Sequence, residues 1–305
     1  NGGMKAAVVT GAGGFLGSAL VAELRGHGVK VLAISRSRSC LTDDEGVERL
    51  TLELSQLGTL ASMTEPRWDT FYHLAWEGSA GEKRKNAGLQ LRGVQTTVEA
   101  VRAAKALGCS MFIGAGSIME KELLASSAKP GLRPAQGHIY SAAKLAAHHM
   151  SECTAAELGI YHIWPIITNA YGEGETSPRL LNTTIRKIIR GEELCFTDGR
   201  QNYDFIHVRD AAKALRMLGE RGEPFREYVI GSGTARPLRE FLLEMQAVLA
   251  PEREFIFGDI PFEGISLPLE QFDISPLRRD TGFEPEISFS QGIRQTMNWI
   301  LNIRQ

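Results

Sequence analysis

The sequence predicts an α/β protein built on a doubly wound parallel sheet, and three observations carry that prediction. Short apolar runs rich in Val and Ile alternate with segments of helical periodicity over the first half of the chain. The connections between these segments are short, as consecutive βαβ units require. A glycine-rich turn joins the first apolar run to the first helical segment. A turn of that kind at that place is typical of a Rossmann-type domain.

The glycine-rich turn spans residues 11–17 with the spacing G-x-x-G-x-x-G. An apolar run at 5–9 precedes it, and leucines at helical spacing follow it. Gly11 permits the tight turn, Gly14 lets the backbone approach a pyrophosphate, and Gly17 lets the helix pack closely on the strand. Free N–H groups at the start of the helix would then face the phosphates. An ordinary flexible turn is the alternative interpretation.

The rest of the chain divides into further strands and helices. Strands are predicted at 29–34, 50–54, 69–75 and 111–115, and helices at 94–107, 140–158, 183–190, 238–249 and 288–301. Loops are expected at 126–137 and, closing over the substrate, at 264–273. We assign residues 4–168 to a dinucleotide-binding domain, with a return segment at about 203–230. Residues 169–202 and 231–305 form a smaller C-terminal substrate lobe in this prediction.

The composition narrows the class of protein. The 305 residues carry a formal net charge of −2, so neither nucleic acid nor a membrane surface is expected as a partner. No apolar stretch approaches the ~18 residues of a membrane span, and no signal-peptide pattern opens the chain. His148 and His149 are adjacent but have no third ligand nearby in the pattern, so no metal site is expected. The absence of a C-x-x-C pair favours reduced thiols in a cytoplasmic protein; the cysteines are Cys40, Cys109, Cys153 and Cys195.

The end of the second predicted strand reads Ser35-Arg36-Ser37-Arg38. In a dinucleotide fold an acidic residue at this place binds the ribose 2′-hydroxyl, whereas an arginine accommodates a 2′-phosphate. Arg36 stands where that acid is expected. The pattern therefore indicates NADP as an alternative to NAD, and a solvated basic loop is the competing interpretation.

Three polar residues near the carboxyl edge of the predicted sheet indicate acid–base chemistry. Ser117 follows the strand at 111–115, and Tyr140 and Lys144 share one face of the next helix. A phenol has a pKa near 10 and becomes a usable acid or base at neutral pH only where its anion is stabilised. The Lys144 ammonium does that, although a surface pair is the alternative for these two residues. His73 lies inside an apolar strand, where a hydrogen-bonded core residue is the favoured interpretation.

These features together resemble the extended short-chain dehydrogenase/reductase family, the NAD-dependent epimerase/dehydratases, which act mostly on nucleotide sugars. The resemblance runs in order across nearly the whole chain. The matching segments are 10–17 (T-G-A-G-G-F-L-G), 73–75 (H-L-A), Ser117, the Tyr140/Lys144 pair, 169–172 (N-A-Y-G), 204–208 (D-F-I-H-V), 230–233 (I-G-S-G), 273–275 (D-I-S) and 282–285 (G-F-E-P).

The resemblance implies a role for each matched residue. Tyr140 is the acid/base, Lys144 lowers its pKa and holds the cofactor ribose, and Ser117 positions the reacting oxygen of the sugar. The turn cradles the pyrophosphate with Gly11, Gly14, Phe15, Leu16 and Gly17. The remaining cofactor-binding residues are Arg36, Glu53, Leu54, Leu74 and Ala75, and the remaining substrate-binding residues are Asn169 and Tyr203.

Four departures from the family pattern bear on function. Ser35-Arg36 replaces the acidic residue after the second strand, so a preference for NAD over NADP is not expected from this position. Gly93 replaces an asparagine in the helix after the fourth strand. Ile118-Met119 stand where the dehydratases carry Asp-Glu, which disfavours 4,6-dehydration. Tyr203 stands in place of the arginine that clamps the diphosphate, and the candidates to replace that arginine are Arg179, Arg186 and Arg278.

The sequence therefore predicts an NAD(P)-dependent oxidoreductase or epimerase that transfers hydride to or from a carbon of a nucleotide-linked sugar, with keto-sugar reduction favoured. The alternatives are a C4 epimerase that retains NAD, a reductase of a non-sugar carbonyl, and a non-catalytic dinucleotide-binding regulator. The joint presence of Ser117, Tyr140 and Lys144 argues against the regulator. The helices at 94–107 and 140–158 resemble the pair with which the family forms a four-helix interface, so a homodimer is expected.

Overall fold

The computed structural model describes residues 3–38, 41 and 43–303, and Cys40 lies outside them. Within these residues the strands are β1 (Ala6–Thr10), β2 (Lys30–Ser35), β3 (Val47–Thr51), β4 (Thr70–His73), β5 (Met111–Ile113), β6 (Gly116–Ser117), β7 (Tyr161–Ile167), β8 (Ala170–Tyr171), β9 (Cys195–Phe196), β10 (Asn202–Tyr203), β11 (Ile206–His207), β12 (Arg226–Ile230), β13 (Arg236–Pro237) and β14 (Ile256–Phe257).

The main sheet runs in the order β3-β2-β1-β4-β5-β7-β12, with β6 paired beside β7, and its strand pairs are parallel. This is the doubly wound arrangement predicted from the alternating strands and helices. The chain changes direction across the sheet between β1 and β4. A crevice opens at such a point beyond the carboxyl ends of the strands, and ligands bind there in open α/β sheets.

Helices cover both faces of this sheet. The helices in the described residues are α1 (Phe15–Gly26), α2 (Ala87–Ala106), α3 (Met119–Ser127), α4 (His138–Leu158), α5 (Leu180–Arg190), α6 (Val208–Arg221), α7 (Leu238–Leu249), α8 (Ser275–Thr281) and α9 (Phe289–Asn302). On one face α1 and α6 pack together through Leu20, Leu24 and Leu215. On the other face α2 and α4 contribute Val101 and Ala155 to a second apolar core. The described residues also contain 3₁₀ turns at Leu54–Ser62, Gly81–Lys85 and Leu269–Phe272.

Several element bounds differ from the sequence-based prediction; helix α5, for example, begins at Leu180 rather than at 183. The strand predicted at 50–54 is Val47–Thr51, because Glu53 caps the 3₁₀ turn that begins at Leu54. The helix predicted at 94–107 begins already at Ala87, where the Asn86 side chain accepts the Leu89 N–H at 3.0 Å. The unpredicted helix α3 takes up the first residues of the loop expected at 126–137.

The elements after β8 form a separate apolar core. Helices α5, α7 and α9 pack around an aromatic group in which the Phe205, Phe241 and Phe289 ring centroids lie 5.0–5.7 Å apart. Strand β12 nevertheless returns to the main sheet beside β7. The exact boundaries of the substrate lobe stay a prediction.

Two further observations concern membrane-spanning helices and the cysteine thiols. None of the helices in the described residues is long and apolar enough to span a membrane. Cys109, Cys153 and Cys195 carry free thiols, and burial raises the pKa of Cys109 to about 12.

Candidate active site

The turn between β1 and α1 tolerates no side chain at two of its glycines. Gly11 has φ +66°, and a Cβ there would lie 2.9 Å from the Ala75 amide nitrogen. A Cβ on Gly17 would lie 1.9 Å from the Gly11 carbonyl oxygen. Helix α1 starts after Gly14 without a side-chain cap, so its first N–H groups face the crevice. This cradle fits the pyrophosphate of a dinucleotide, which binds free N–H groups at a helix N-terminus.

Thr10 and His73 hold the two strand ends that flank the crevice. The Thr10 hydroxyl oxygen lies 2.8 Å from His73 Nδ1 and accepts the N–H groups of Leu74 and Ala75 at 3.1 and 3.2 Å. Burial lowers the pKa of His73 to about 3, so its ring is neutral. His73 is therefore a hydrogen-bonded residue of the sheet, as its apolar strand suggested.

A single cavity of about 1300 Å³ lies at this edge of the sheet. Every residue predicted for the site lines it, from the glycine turn to the substrate side. These residues are Gly11, Gly14, Phe15, Leu16, Gly17, Arg36, Glu53, Leu54, Leu74, Ala75, Ser117, Tyr140, Lys144, Asn169 and Tyr203. The sequence motifs thus lie around one space, although they are spread over nearly two hundred residues.

The adenosine end of the cavity contains both a guanidinium and a carboxylate. Arg36 lines it at the end of β2 and is exposed. Glu53 lines it from the segment after β3, the strand next to β2. The Glu53 carboxylate accepts the Gln56 backbone N–H and so caps its own 3₁₀ turn.

Ser117, Tyr140 and Lys144 meet in the opposite half of the cavity. Tyr140 is buried, which raises its pKa, and the charges of Arg84 and Arg179, with a smaller effect from Ser117, oppose that shift. Lys144 Nζ donates to the Ala115 carbonyl oxygen at 2.7 Å. Burial lowers the pKa of Lys144 to about 7, so its charge titrates near neutral pH.

Trp76 contacts both members of the Tyr–Lys pair. Its ring lies at 89° to the Tyr140 ring with centroids 6.3 Å apart, and Lys144 Nζ lies 4.0 Å from its centroid. The indole N–H donates to Gln90 Oε1 at 2.9 Å. A Cβ on Gly93 would lie 2.7 Å from the same ring. Gly93, the departure from the family asparagine, therefore makes room for Trp76.

Glu120 is a buried residue of this region that the sequence analysis missed. It is 1% exposed, and its Oε2 accepts the Ser117 N–H at 2.7 Å. The Trp164 indole N–H lies 3.2 Å from each of its carboxylate oxygens. Glu120 thus fixes the backbone that carries Ser117. Its only signal in the sequence is its place three residues after Ser117.

Arg84 and Glu122 also line the cavity and were missed. The Arg84 guanidinium carbon lies 4.6 Å from the centroid of the Tyr140 ring, and Arg84 Nε donates to the Ser79 carbonyl oxygen at 2.6 Å. Burial raises the pKa of Glu122 to about 7, and the charge of Arg84 opposes that shift. Both residues lie in segments without a family motif, so sequence reasoning had no basis for placing them here.

Of the three arginines considered for the diphosphate, Arg179 lines the cavity. Its Nε is buried without a hydrogen bond, 3.7 Å from Glu175 Oε1. Arg186 instead donates to Asn182 Oδ1 at 3.0 Å and lines a small separate pocket. Arg278 lies 3.0 Å from Glu284 and is not among the residues around the cavity.

The paired histidines of α4 lie behind the site. His148 stacks on Trp164 with ring centroids 4.9 Å apart, and its Nδ1 lies 3.6 Å from Glu120 Oε1. Possible metal-ligand atoms of His148, His149 and Glu152 lie within 4.8 Å of one another. Glu152 is thus a third possible ligand beside the two histidines, which the sequence analysis did not identify. The stacking and the contact with Glu120 account for the buried position of His148.

This combination of fold and site is that of a dinucleotide-binding enzyme. The sequence profile described as the NAD dependent epimerase/dehydratase family matches residues 7–231. The chain belongs to that family.

The relatives catalyse different reactions. A dTDP-glucose 4,6-dehydratase of Haemophilus influenzae is 24% identical, over 96% of this chain and 97% of the relative. A dTDP-4-dehydro-6-deoxy-D-allose reductase of a Streptomyces species is 24% identical, over 96% and 95% of the two chains. The solved structure of a UDP-glucose 4-epimerase from Thermotoga maritima, with UDP-glucose, superposes with a TM-score of 0.80 at 18% identity over 98% and 100% of the chains. The comparisons therefore establish the family and the fold, and they include relatives with three different reactions.

Proposed function

We propose that this protein reduces the keto group of a nucleotide-linked sugar with a nicotinamide cofactor. The observation that carries the proposal is that Ser117, Tyr140 and Lys144 line the same cavity as the glycine turn. A protein that only senses dinucleotides has no use for a buried phenol beside a serine and a lysine. A reductase and a 4,6-dehydratase are equally similar to the chain, and Ile118-Met119 in place of the Asp-Glu pair of the dehydratases favours reduction between these two reactions.

Some residues of the cavity would bind the cofactor, and others would act on the substrate. The turn and Leu74 and Ala75 would hold the dinucleotide, which when bound supplies hydride chemistry at the sugar carbon. In the reductive direction, the carbonyl carbon gains a hydride and its oxygen gains the Tyr140 hydroxyl proton, so a secondary alcohol forms and a phenolate remains. Ser117 hydrogen-bonds the same oxygen. Positive charge near the ring stabilises the phenolate until it is reprotonated from solvent, and Lys144 would hold the cofactor ribose.

Arg179 is our candidate for the residue that binds the diphosphate of the substrate. It lines the cavity, and its Nε is buried without a hydrogen-bond partner. Arginine suits phosphate because its donors are fixed in a fork and it stays charged. Asn169 and Tyr203 line the same side of the cavity.

The cofactor we propose is NADPH. Arg36 lines the adenosine end of the cavity, and the Glu53 carboxylate there is engaged in capping. A charge-assisted Arg–phosphate contact contributes about 1.5–3 kcal/mol, roughly a ten- to hundredfold preference. NADPH and NADH should be titrated separately into wild type and Arg36→Ala. Equal affinity for the two cofactors in wild type, or tighter NADH binding, would remove the argument for NADPH.

The central experiment is substrate identification followed by Tyr140→Phe. A thermal-shift screen with UDP-, dTDP-, GDP- and CDP-sugars should show stabilisation by one nucleotide class, because binding to the native state raises Tm. With the keto-sugar of that class, Tyr140→Phe should lower turnover by about 10²–10⁴-fold while cofactor affinity changes little. Near-full activity of Tyr140→Phe would show that this mechanism is wrong.

A C4 epimerase is the second candidate, because solved structures of nucleotide-sugar epimerases share the fold. An epimerase removes a hydride and returns it, so it retains oxidised cofactor through both steps. Purified protein that carries bound NAD and interconverts two sugar nucleotides without net NADPH consumption would favour it. Reduction of non-sugar carbonyls without any response to sugar nucleotides would favour a third reading, a general carbonyl reductase.

We also propose a homodimer in the cytoplasm. Helices α2 and α4 pack side by side, and Leu91 and Met150 on them are exposed. Ala142 is exposed on α4, whereas Ala143 and Ala147 pack inside the chain. The four alanines at 142, 143, 146 and 147 therefore do not all serve one interface. The cytoplasmic setting rests on the cysteine usage described above.

A further inference from the structure

We propose that Arg84 is a positioning residue that acts through Tyr140, because its guanidinium stabilises the phenolate form of that side chain. Its carbon Cζ lies 4.6 Å from the Tyr140 ring centroid, whereas Lys144 Nζ lies 5.8 Å from it. Among these two cations Arg84 is thus the nearer to the ring. The inference rests on the acid–base role proposed for Tyr140.

The contacts of Lys144 direct its charge away from the phenol. Its Nζ donates to the Ala115 carbonyl oxygen at 2.7 Å and lies over the face of Trp76 at 4.0 Å. Burial lowers the pKa of Lys144 to about 7. A guanidinium does not lose its proton in this range, so Arg84 keeps its charge where Lys144 becomes neutral.

Arg84 is held in place through one nitrogen and presents the rest of its fork to the cavity. Nε donates to the Ser79 carbonyl oxygen at 2.6 Å. Within the described part of the chain, no carboxylate forms an ion pair with Arg84 within 4.0 Å. Burial lowers the pKa of Arg84, and the opposing charges that raise it are those of ionised Tyr140, ionised Tyr203 and Glu122. A cation with a fixed anchor and no committed counter-ion beside a phenol favours the phenolate.

The charges around Tyr140 come from several elements. Arg84 on the turn at Gly81–Lys85 and Arg179 before α5 lower its pKa, and Glu120 on α3 raises it. Burial raises it further. An opposite charge within ~4–6 Å lowers a pKa by about 1–3 units, so Arg84 is placed to offset much of the effect of burial.

The test measures the pKa of Tyr140 directly in the cofactor-free protein. Tyrosine labelled with ¹³C at Cζ gives one NMR signal per ring, and Tyr140→Phe identifies the signal of Tyr140. We expect Arg84→Gln to raise the pKa of Tyr140 by about 1–2 units and Arg84→Lys to restore part of that shift. Lys85→Gln is the matched control, because it removes a positive charge from the same turn, where Lys85 is exposed and pairs with Glu82.

The comparison with Lys144→Met makes the result decisive. We expect Lys144→Met to raise the pKa of Tyr140 less than Arg84→Gln does. If Arg84→Gln leaves that pKa unchanged, or shifts it no more than Lys85→Gln, the inference is wrong. The outcome is independent of the proposed function: full activity of Tyr140→Phe would overturn the acid–base role of Tyr140, whereas an unshifted pKa overturns only the role of Arg84.

Discussion

Gly17→Ala tests whether the close approach of α1 to the turn is what the glycine serves. The new Cβ would lie 1.9 Å from the Gly11 carbonyl oxygen, 2.7 Å from the Gly11 carbonyl carbon and 3.0 Å from Ala12 Cα. All three atoms are backbone, so no flexible side chain can move aside. Overpacking of this kind costs about 1–3 kcal/mol. Alanine regains about 1 kcal/mol through its higher helix propensity, which leaves a net loss of up to ~2 kcal/mol.

Two measurements follow from this estimate. Urea unfolding should give a lower midpoint for Gly17→Ala with an unchanged slope. Binding of NADH or NADPH, followed by nicotinamide fluorescence, should weaken by about tenfold or more, because the displaced turn carries the N–H groups for the pyrophosphate. Gly26→Ala in the same helix is the control, since a Cβ there meets nothing within 4 Å. Wild-type stability and cofactor affinity in Gly17→Ala would refute the reasoning.

Three further predictions concern the buried polar residues and the assembly. Glu120→Ala should lower the free energy of unfolding in urea by about 2–6 kcal/mol, because the Ser117 and Trp164 N–H groups each lose their acceptor at a cost of ~1–3 kcal/mol. Glu120→Gln should recover part of this loss. An unchanged unfolding midpoint for Glu120→Ala would contradict the assignment. Burial lowers the pKa of His162 to about 3, so between pH 6.5 and 3 the unfolded chain binds a proton that the folded chain does not, and stability falls as the pH falls. From pH 7 to 5 wild type should therefore lose about 2 kcal/mol more than His162→Phe, and parallel pH profiles would show that His162 is not the group responsible. Light scattering at micromolar concentration should give twice the chain mass, and a value near 33.5 kDa would exclude the dimer under those conditions.

The parts of the fold that the sequence predicted well are those with strong local patterns. The alternation of apolar runs and helical periodicity led to the parallel sheet, and the bounds of α7 agree residue for residue with the prediction. Boundaries set by capping were harder. The start of α2 depends on one Asn86 side chain, and the end of β3 depends on the cap that Glu53 provides. Neither contact can be predicted from hydrophobic periodicity.

Most of the predicted site residues line one cavity because they lie at or just after the carboxyl ends of strands at the same edge of the main sheet, whereas Tyr203 reaches the cavity from a separate two-stranded sheet. Arg84 and Glu120 were beyond reach for a different reason. Neither has a family motif, and each matters through a contact across space, to the Tyr140 ring and to the Ser117 backbone respectively. Only the folded chain shows that a charge lies beside the phenol.

Gly93 and Trp76 show how one departure from a family pattern leads to another. Gly93 leaves space that the Trp76 ring fills. The centroid of this ring lies 4.0 Å from Lys144 Nζ. The attraction of the ammonium to the indole face, together with its bond to the Ala115 carbonyl, holds the lysine away from the tyrosine ring. In the proposed mechanism, Arg84 supplies the positive charge beside the phenol, with its Cζ 4.6 Å from the Tyr140 ring centroid. The Trp76 ring, for which Gly93 makes room, and the Arg84 guanidinium thus both lie against the ring of this phenol.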